Sequence, residues 1–68
     1  MEQIPAHVKK NLNTLASQRE EQGMSRKDLQ KVSGVREDII AAYEEGRGRP
    51  TRSKYNKLAE YFSWEAWR

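Results

Sequence analysis

The chain has 68 residues, 35% of them apolar and 34% charged, with a formal net charge of +3 and no cysteine. That length allows one domain, residues 1–68, near the lower limit at which a hydrophobic core holds without a staple, and the lack of cysteine excludes disulfides and thiolate zinc sites. No apolar run approaches the ~20 residues that cross a bilayer, and the opening "MEQIPAHVKK" lacks the apolar centre of a signal peptide, so the expected location is the cytoplasm.

Glycine and proline fall singly along the chain and divide it into short helical pieces. Pro5 suits a first helical turn, and Val8, Leu12, Leu15 and Arg19 follow at i, i+4, i+7 and i+11. This spacing predicts one continuous first helix with a single buried stripe, closed by Gly23 in a left-handed conformation. Ser25 then stands where an N-cap belongs, with Asp28 three residues later as a near capping box. Leu29 and Val32 are expected to supply the buried face of this short second helix. Ser33-Gly34-Val35 leaves room only for a tight turn before a third helix over 36–45, in which Ile40 and Tyr43 share a face and Gly46 ends the run. Pro50 and Thr51 open the next segment, where Tyr55, Leu58, Ala59 and Phe62 lie at i, i+3, i+4 and i+7. In the tail "WEAWR", Trp64 and Trp67 stand three apart, which predicts one turn of helix that either completes the core or forms a self-association patch. Nothing alternates with a period of two. The expected fold class is all-α, a compact bundle of four to five short helices.

Charge is unevenly placed. Between Gly46 and Lys57 lie five cations (Arg47, Arg49, Arg52, Lys54, Lys57) and no acid, a run suited either to following a phosphate backbone or to being a solvated polar face. Within it, Arg47-Gly48-Arg49-Pro50 spells the core of a minor-groove AT-hook. A free hook carries cations on both flanks, whereas here Glu44 and Glu45 precede the core and a helix follows it, so a loop after a helix is the reading favoured. Arg49 or Arg52 reaching the minor groove from that loop stays open. The inventory for catalysis is poor. His7 is the single histidine, expected to be exposed on the first helix, and the acid doublets Glu20-Glu21, Glu37-Asp38 and Glu44-Glu45 point ~100° apart on a helix rather than converging. No enzyme activity, metal, cofactor or small-molecule ligand is expected.

Two short helices joined by a glycine-containing turn describe a helix-turn-helix, here at about residues 25–46. From Gly23 onward, "GMSRKDLQKVSGVREDIIAAYEEGRGRP" resembles the helix-turn-helix of the phage repressor and Cro proteins, the xenobiotic-response-element-like family, and the likeness continues through "TRSKYNKLAEYF". Ser25 and Leu29 match the cap and first core position of the positioning helix. Gly34 and Val35 match the turn; Ile40, Tyr43, Glu44 and Gly46 match the close of the recognition helix; Pro50, Leu58 and Ala59 match the helix after it.

The resemblance implies a lambda-repressor-like DNA-binding fold and an ion pair between Arg19 and Glu44. It places Arg36, Glu37, Asp38, Ile39 and Ala42 toward base edges, and Ser25, Arg26, Arg47, Arg49, Arg52 and Lys54 toward phosphates. Glu37 and Asp38 depart from the Gln, Ser, Thr or Arg usual there. They either accept hydrogen bonds from cytosine or complement the positive end of the helix dipole, while Ile39 and Ala42 suit a thymine methyl. Gln30 replaces a small residue, usually Ala, and Arg52 and Asn56 replace aliphatics. The function implied is a sequence-specific double-stranded DNA-binding transcriptional regulator, a repressor of phage or mobile-element type. It would act as a homodimer whose interface comes from the last two helices or forms only on DNA. The competing class is a protein-interaction module, an antitoxin or a modulator of another regulator, that kept the scaffold and lost the reading surface.

Overall fold

In the computed structural model, which describes residues 3–68, the chain forms α1 (Ala6–Asn13), α2 (Leu15–Glu21), α3 (Arg26–Ser33), α4 (Glu37–Glu44) and α5 (Arg52–Phe62). No strand occurs among the described residues, and the fold is all-α. The helix ends follow from local chemistry. Gly23 adopts φ +69°; its N–H reaches the Glu20 carbonyl at 2.9 Å and the Met24 N–H reaches that of Arg19 at 3.2 Å, so α2 closes in a Schellman motif. The same pair of bonds recurs at the end of α4, from Gly46 to Tyr43 at 3.3 Å and from Arg47 to Ala42 at 2.7 Å. Gly34, with φ +81°, ends α3 by donating to the Gln30 carbonyl at 2.9 Å.

The first helical run is not continuous. Thr14 separates α1 from α2, because its hydroxyl donates back to the carbonyls of Lys10 (3.1 Å) and Asn11 (3.3 Å) while its backbone relaxes to φ −102°, ψ 8°. A threonine bonded to the preceding turn bends a helix in this way. The apolar stripe survives the bend: Val8, Leu12 and Leu15 are all buried.

These three side chains meet Leu29, Val35, Ile40, Tyr43, Tyr55, Leu58, Ala59 and Trp67 in one core cluster. Val32 does not join it and is 53% exposed, against the expectation that it would share the buried face of α3. After Leu29 the inward direction passes to Ser33, four residues on. The Ser33 hydroxyl donates to the Leu29 carbonyl at 2.7 Å and accepts from the Val35 N–H at 3.1 Å, which delivers Val35 to the core in place of Val32.

The tail also differs from the helical turn expected of it. Ser63 takes a left-handed conformation (φ 62°), the Trp64 N–H closes on the Ala59 carbonyl at 2.9 Å, and residues 64–68 then run without helical bonding. Asn56 replaces those bonds: its amide donates to the Trp67 carbonyl at 3.0 Å and accepts from the Trp67 N–H at 2.8 Å. Trp64 stacks on Phe62 (5.0 Å between ring centroids) and Tyr55 (5.6 Å), and its indole N–H donates to Gln18 at 2.7 Å. Both tryptophans therefore pack on the domain. His7, expected to be exposed, is half-buried beneath this tail, with Nε2 at 3.3 Å from the Ala66 carbonyl and 3.7 Å from the Glu65 carboxylate.

Ser63 is the one non-glycine residue with positive φ among those described. An L side chain there costs about 1–2 kcal/mol, part of which glycine gives back through its freer unfolded chain. Ser63→Gly should accordingly stabilise the domain by about 0.5–1 kcal/mol, read as a raised urea midpoint at unchanged slope.

Candidate nucleic-acid interface

The candidate surface is built on α3, α4 and the loop that follows. Ser25 caps α3 in a reciprocal box: its Oγ accepts from the Asp28 N–H at 3.0 Å, and Asp28 Oδ2 accepts from the Ser25 N–H at 3.1 Å. Hydrogen bonds from the Ser25 backbone and side chain hold the Asp28 carboxyl below its ordinary value.

Glu44, in the last turn of α4, has a side chain only 2% exposed, and two arginines converge on it. Arg19 Nε donates to Oε2 at 2.7 Å and Nη2 to Oε1 at 3.2 Å, a two-pronged fork, while Arg19 Nη1 donates to the Met24 carbonyl at 2.7 Å. Arg26 Nε donates to Oε1 at 2.9 Å. Burial pushes the Glu44 carboxyl up, but the hydrogen bonds and charges of Arg19 and Arg26 together outweigh it and hold the group below its ordinary value. The hydrogen bond to Glu44 raises Arg19 in turn, against desolvation. One carboxylate thus ties α2, α3 and α4 together. Arg26 remains 39% exposed with Nη2 at 3.7 Å from Glu45, so its outer edge stays at the surface.

At the opposite end of α4, Arg36 occupies the N-cap position but has no oxygen to cap with, and its side chain caps nothing. Gln30 of α3 does this instead: its Oε1 accepts from the Glu37 N–H at 2.8 Å. Asp38 Oδ1 accepts from the Ile39 N–H at 3.0 Å and lies 3.3 Å from Arg36 Nε, which occupies it locally. Glu37 is exposed, and Ile39 and Ala42 are half-buried.

Gly46 and Gly48, with φ +74° and +75°, fold the Arg47–Pro50 loop back against α4, where a side-chain carbon added at Gly48 would lie 3.6 Å from the Ala42 methyl. Asp38, Ile39, Ala42, Gly48, Arg49 and Lys54 consequently line one shallow trough between α4, the loop and the start of α5. Three expected base-facing residues and two expected phosphate-facing cations share this trough. Arg47 is 65% exposed and paired with Glu45 at 2.9 Å. Arg52 does not line the trough. Its guanidinium lies over Trp67, 5.6 Å from the ring centroid, beside a separate hollow shared with Ile4 and Pro50.

Tyr43 links α4 to the start of α5. Burial pushes its phenol up, and hydrogen bonds at Thr51 oppose that. Sequence reasoning missed the capping role of Gln30, for which the available signals were a long polar residue at a position usually small and an arginine where the next helix needs a capping oxygen. It also missed Lys9 of α1, which lines a cleft with Arg47 and Gly48 and extends the cationic surface beyond the loop.

Two helices joined at Gly34, the second capped by the first and locked at its far end to α2, define a helix-turn-helix domain. The helix-turn-helix family profile matches residues 15–63, well over half of the chain. The chain belongs to that family, the Cro and repressor type of helix-turn-helix, and is a DNA-binding regulator of that kind. Comparisons with curated proteins and with solved structures returned no match. No helix among the described residues is long and apolar enough to cross a membrane.

Proposed function

We propose that the protein is a sequence-specific transcriptional repressor of phage or mobile-element type, which inserts α4 into the major groove of double-stranded DNA and blocks transcription by occupying an operator. The observation that carries this reading is the trough in which Ile39 and Ala42 stand beside Arg49 and Lys54. A helix fills the major groove and meets base edges with its exposed face, while flanking cations hold the backbone on either side. Ile39 and Ala42 suit thymine methyl groups; Arg49 and Lys54, with Arg47 and Lys9 farther along, suit phosphates.

On this reading Ser25 and the outer edge of Arg26 hold the phosphate at the N-terminus of α3. Arg36 and Glu37 stand at the end of α4 that enters the groove first. Asp38, already engaged by Arg36 and by a backbone N–H, serves the helix end, and Arg52 serves the tail. A single recognition helix covers too few base pairs to be selective, so the working form is a homodimer on an inverted repeat.

A second reading rests on Glu37 and Asp38, two acids on the leading turn of α4 where phosphates repel them. It makes the domain an antitoxin-like or regulator-modulating protein module. Selection of bound duplexes from a random DNA pool at near-physiological salt separates the two. The repressor reading expects enrichment of an inverted repeat with half-sites about one helical turn apart. A folded protein that enriches no motif would favour the protein-binding module.

A further inference from the structure

We infer that Gln30 is a positioning residue for DNA reading: it sets the orientation of the recognition helix by capping that helix from its neighbour, an inference that rests on the DNA-reading function proposed above. The first N–H groups of any helix lack partners within it and need an outside acceptor. In α4 the N-cap residue is Arg36, whose side chain carries donors only. Gln30 Oε1, seven residues upstream and on α3, takes the Glu37 N–H at 2.8 Å.

The consequence is geometric. Glu44 pins the last turn of α4 through Arg19 and Arg26, and Gln30 pins the first. With both ends tied, a pivot of α4 about the Glu44 anchor or a rotation against α3 would break the Gln30 bond. Leu29 of α3 and Ile40 of α4 meet in the core, and the half-buried Gln30 adds a directional bond to that apolar contact. Reading base edges requires placement to within about 0.5 Å and 10–20°. Phosphate contacts from long, exposed arginines tolerate much larger errors. Losing the Gln30 bond should therefore harm discrimination between sequences more than attraction to DNA in general.

Two variants separate this role from simple packing. Gln30→Met keeps the side chain's length without an acceptor for the Glu37 N–H, and Gln30→Glu keeps the acceptor. Dissociation constants would be measured by fluorescence anisotropy for the selected duplex and for a scrambled duplex of equal composition. Amide hydrogen exchange at Glu37 would be followed in the free protein.

Gln30→Met is expected to lower the ratio of specific to non-specific affinity about tenfold, to leave scrambled-duplex binding unchanged and to speed exchange at Glu37. Gln30→Glu is expected to restore protection of the Glu37 N–H and most of the ratio, while its added charge weakens both duplexes alike. The inference is overturned if Gln30→Met keeps the wild-type ratio and Glu37 protection, or if both duplexes lose affinity equally. Failure of the wild type to discriminate any duplex would overturn the DNA-reading function itself. Exchange at Glu37 would then still decide whether Gln30 holds the helix end.

Discussion

Replacing Glu44 by Ala is expected to lower the stability of the domain by about 3–5 kcal/mol, the cost of breaking a buried ion pair by removing one partner. The loss is large because of what stays behind. Arg19, with a side chain only 11% exposed, would keep its charge and retain only the Met24 carbonyl and the outlying Glu20, 3.9 Å away, as partners. A domain of this size has a total stability of about 3–10 kcal/mol. The variant should thus lose about a third or more of its stability, and lie near its unfolding midpoint if the wild type is at the lower end of that range, as urea titration followed by far-ultraviolet circular dichroism would reveal. A midpoint within the error of the wild type would mean that the three-way junction is ornamental. Glu44→Gln should cost less, since it keeps an acceptor for one arginine.

The same carboxylate gives the domain an acid limit. Its folded-state pKa lies below the ordinary 4.5, so the folded state binds the proton more weakly than the unfolded chain does. The stability it contributes is complete above about 4.5 and is lost as pH falls through the lowered folded value. Asp28, held down by the Ser25 box, acts in the same direction. The stability of the wild type should decline as pH falls from about 4.5 through the lowered folded value, and Glu44→Gln should flatten that part of the profile.

Which parts of this molecule could be read in advance depends on how local their causes are. The α3 box, the turn at Gly34 and the end of α4 at Gly46 each arise within a few residues, from a capping serine or a glycine at positive φ, and the spacing exposed all three. The fork on Glu44 joins residues 25 apart in the chain, and only the family resemblance pointed to it. Thr14 breaks the first helix through a hydroxyl bond that competes with a helical pattern still present in the apolar residues.

Arg52 and Asn56 looked misplaced because the apolar positions they occupy are read against a helical neighbour. Their actual partner is Trp67, brought back over α5 by the reversal at Ser63. Gln30 is the same kind of case. A long polar residue where a small one is usual resembles a packing fault until the missing N-cap at Arg36 is noticed, and then it is the remedy.

Replacing Arg47 and Arg49 together by Ala is expected to weaken binding to every duplex about 10–100-fold at ~0.1 M salt and to reduce the dependence of log K on log salt by about one to two units. Each phosphate contact contributes a slope of about −0.9 and hence close to a factor of ten in affinity at that salt. The exposed bond from Arg47 to Glu45 does not offset this, because surface ion pairs contribute only about 0–1 kcal/mol and the guanidinium can exchange one anion for another. Neither arginine belongs to the core, so the urea midpoint should stay where it is. Affinity titrations across a salt series, on the selected duplex and on a scrambled one, distinguish the alternatives for this loop. An equal loss on both duplexes assigns the arginines to the backbone. A loss confined to the selected duplex would move one of them into a groove, where Arg49 reading an A·T-rich minor groove is the geometry an Arg-Gly-Arg-Pro sequence favours. An unchanged slope would remove the loop from the interface and leave the cationic surface to Lys54 and Lys9.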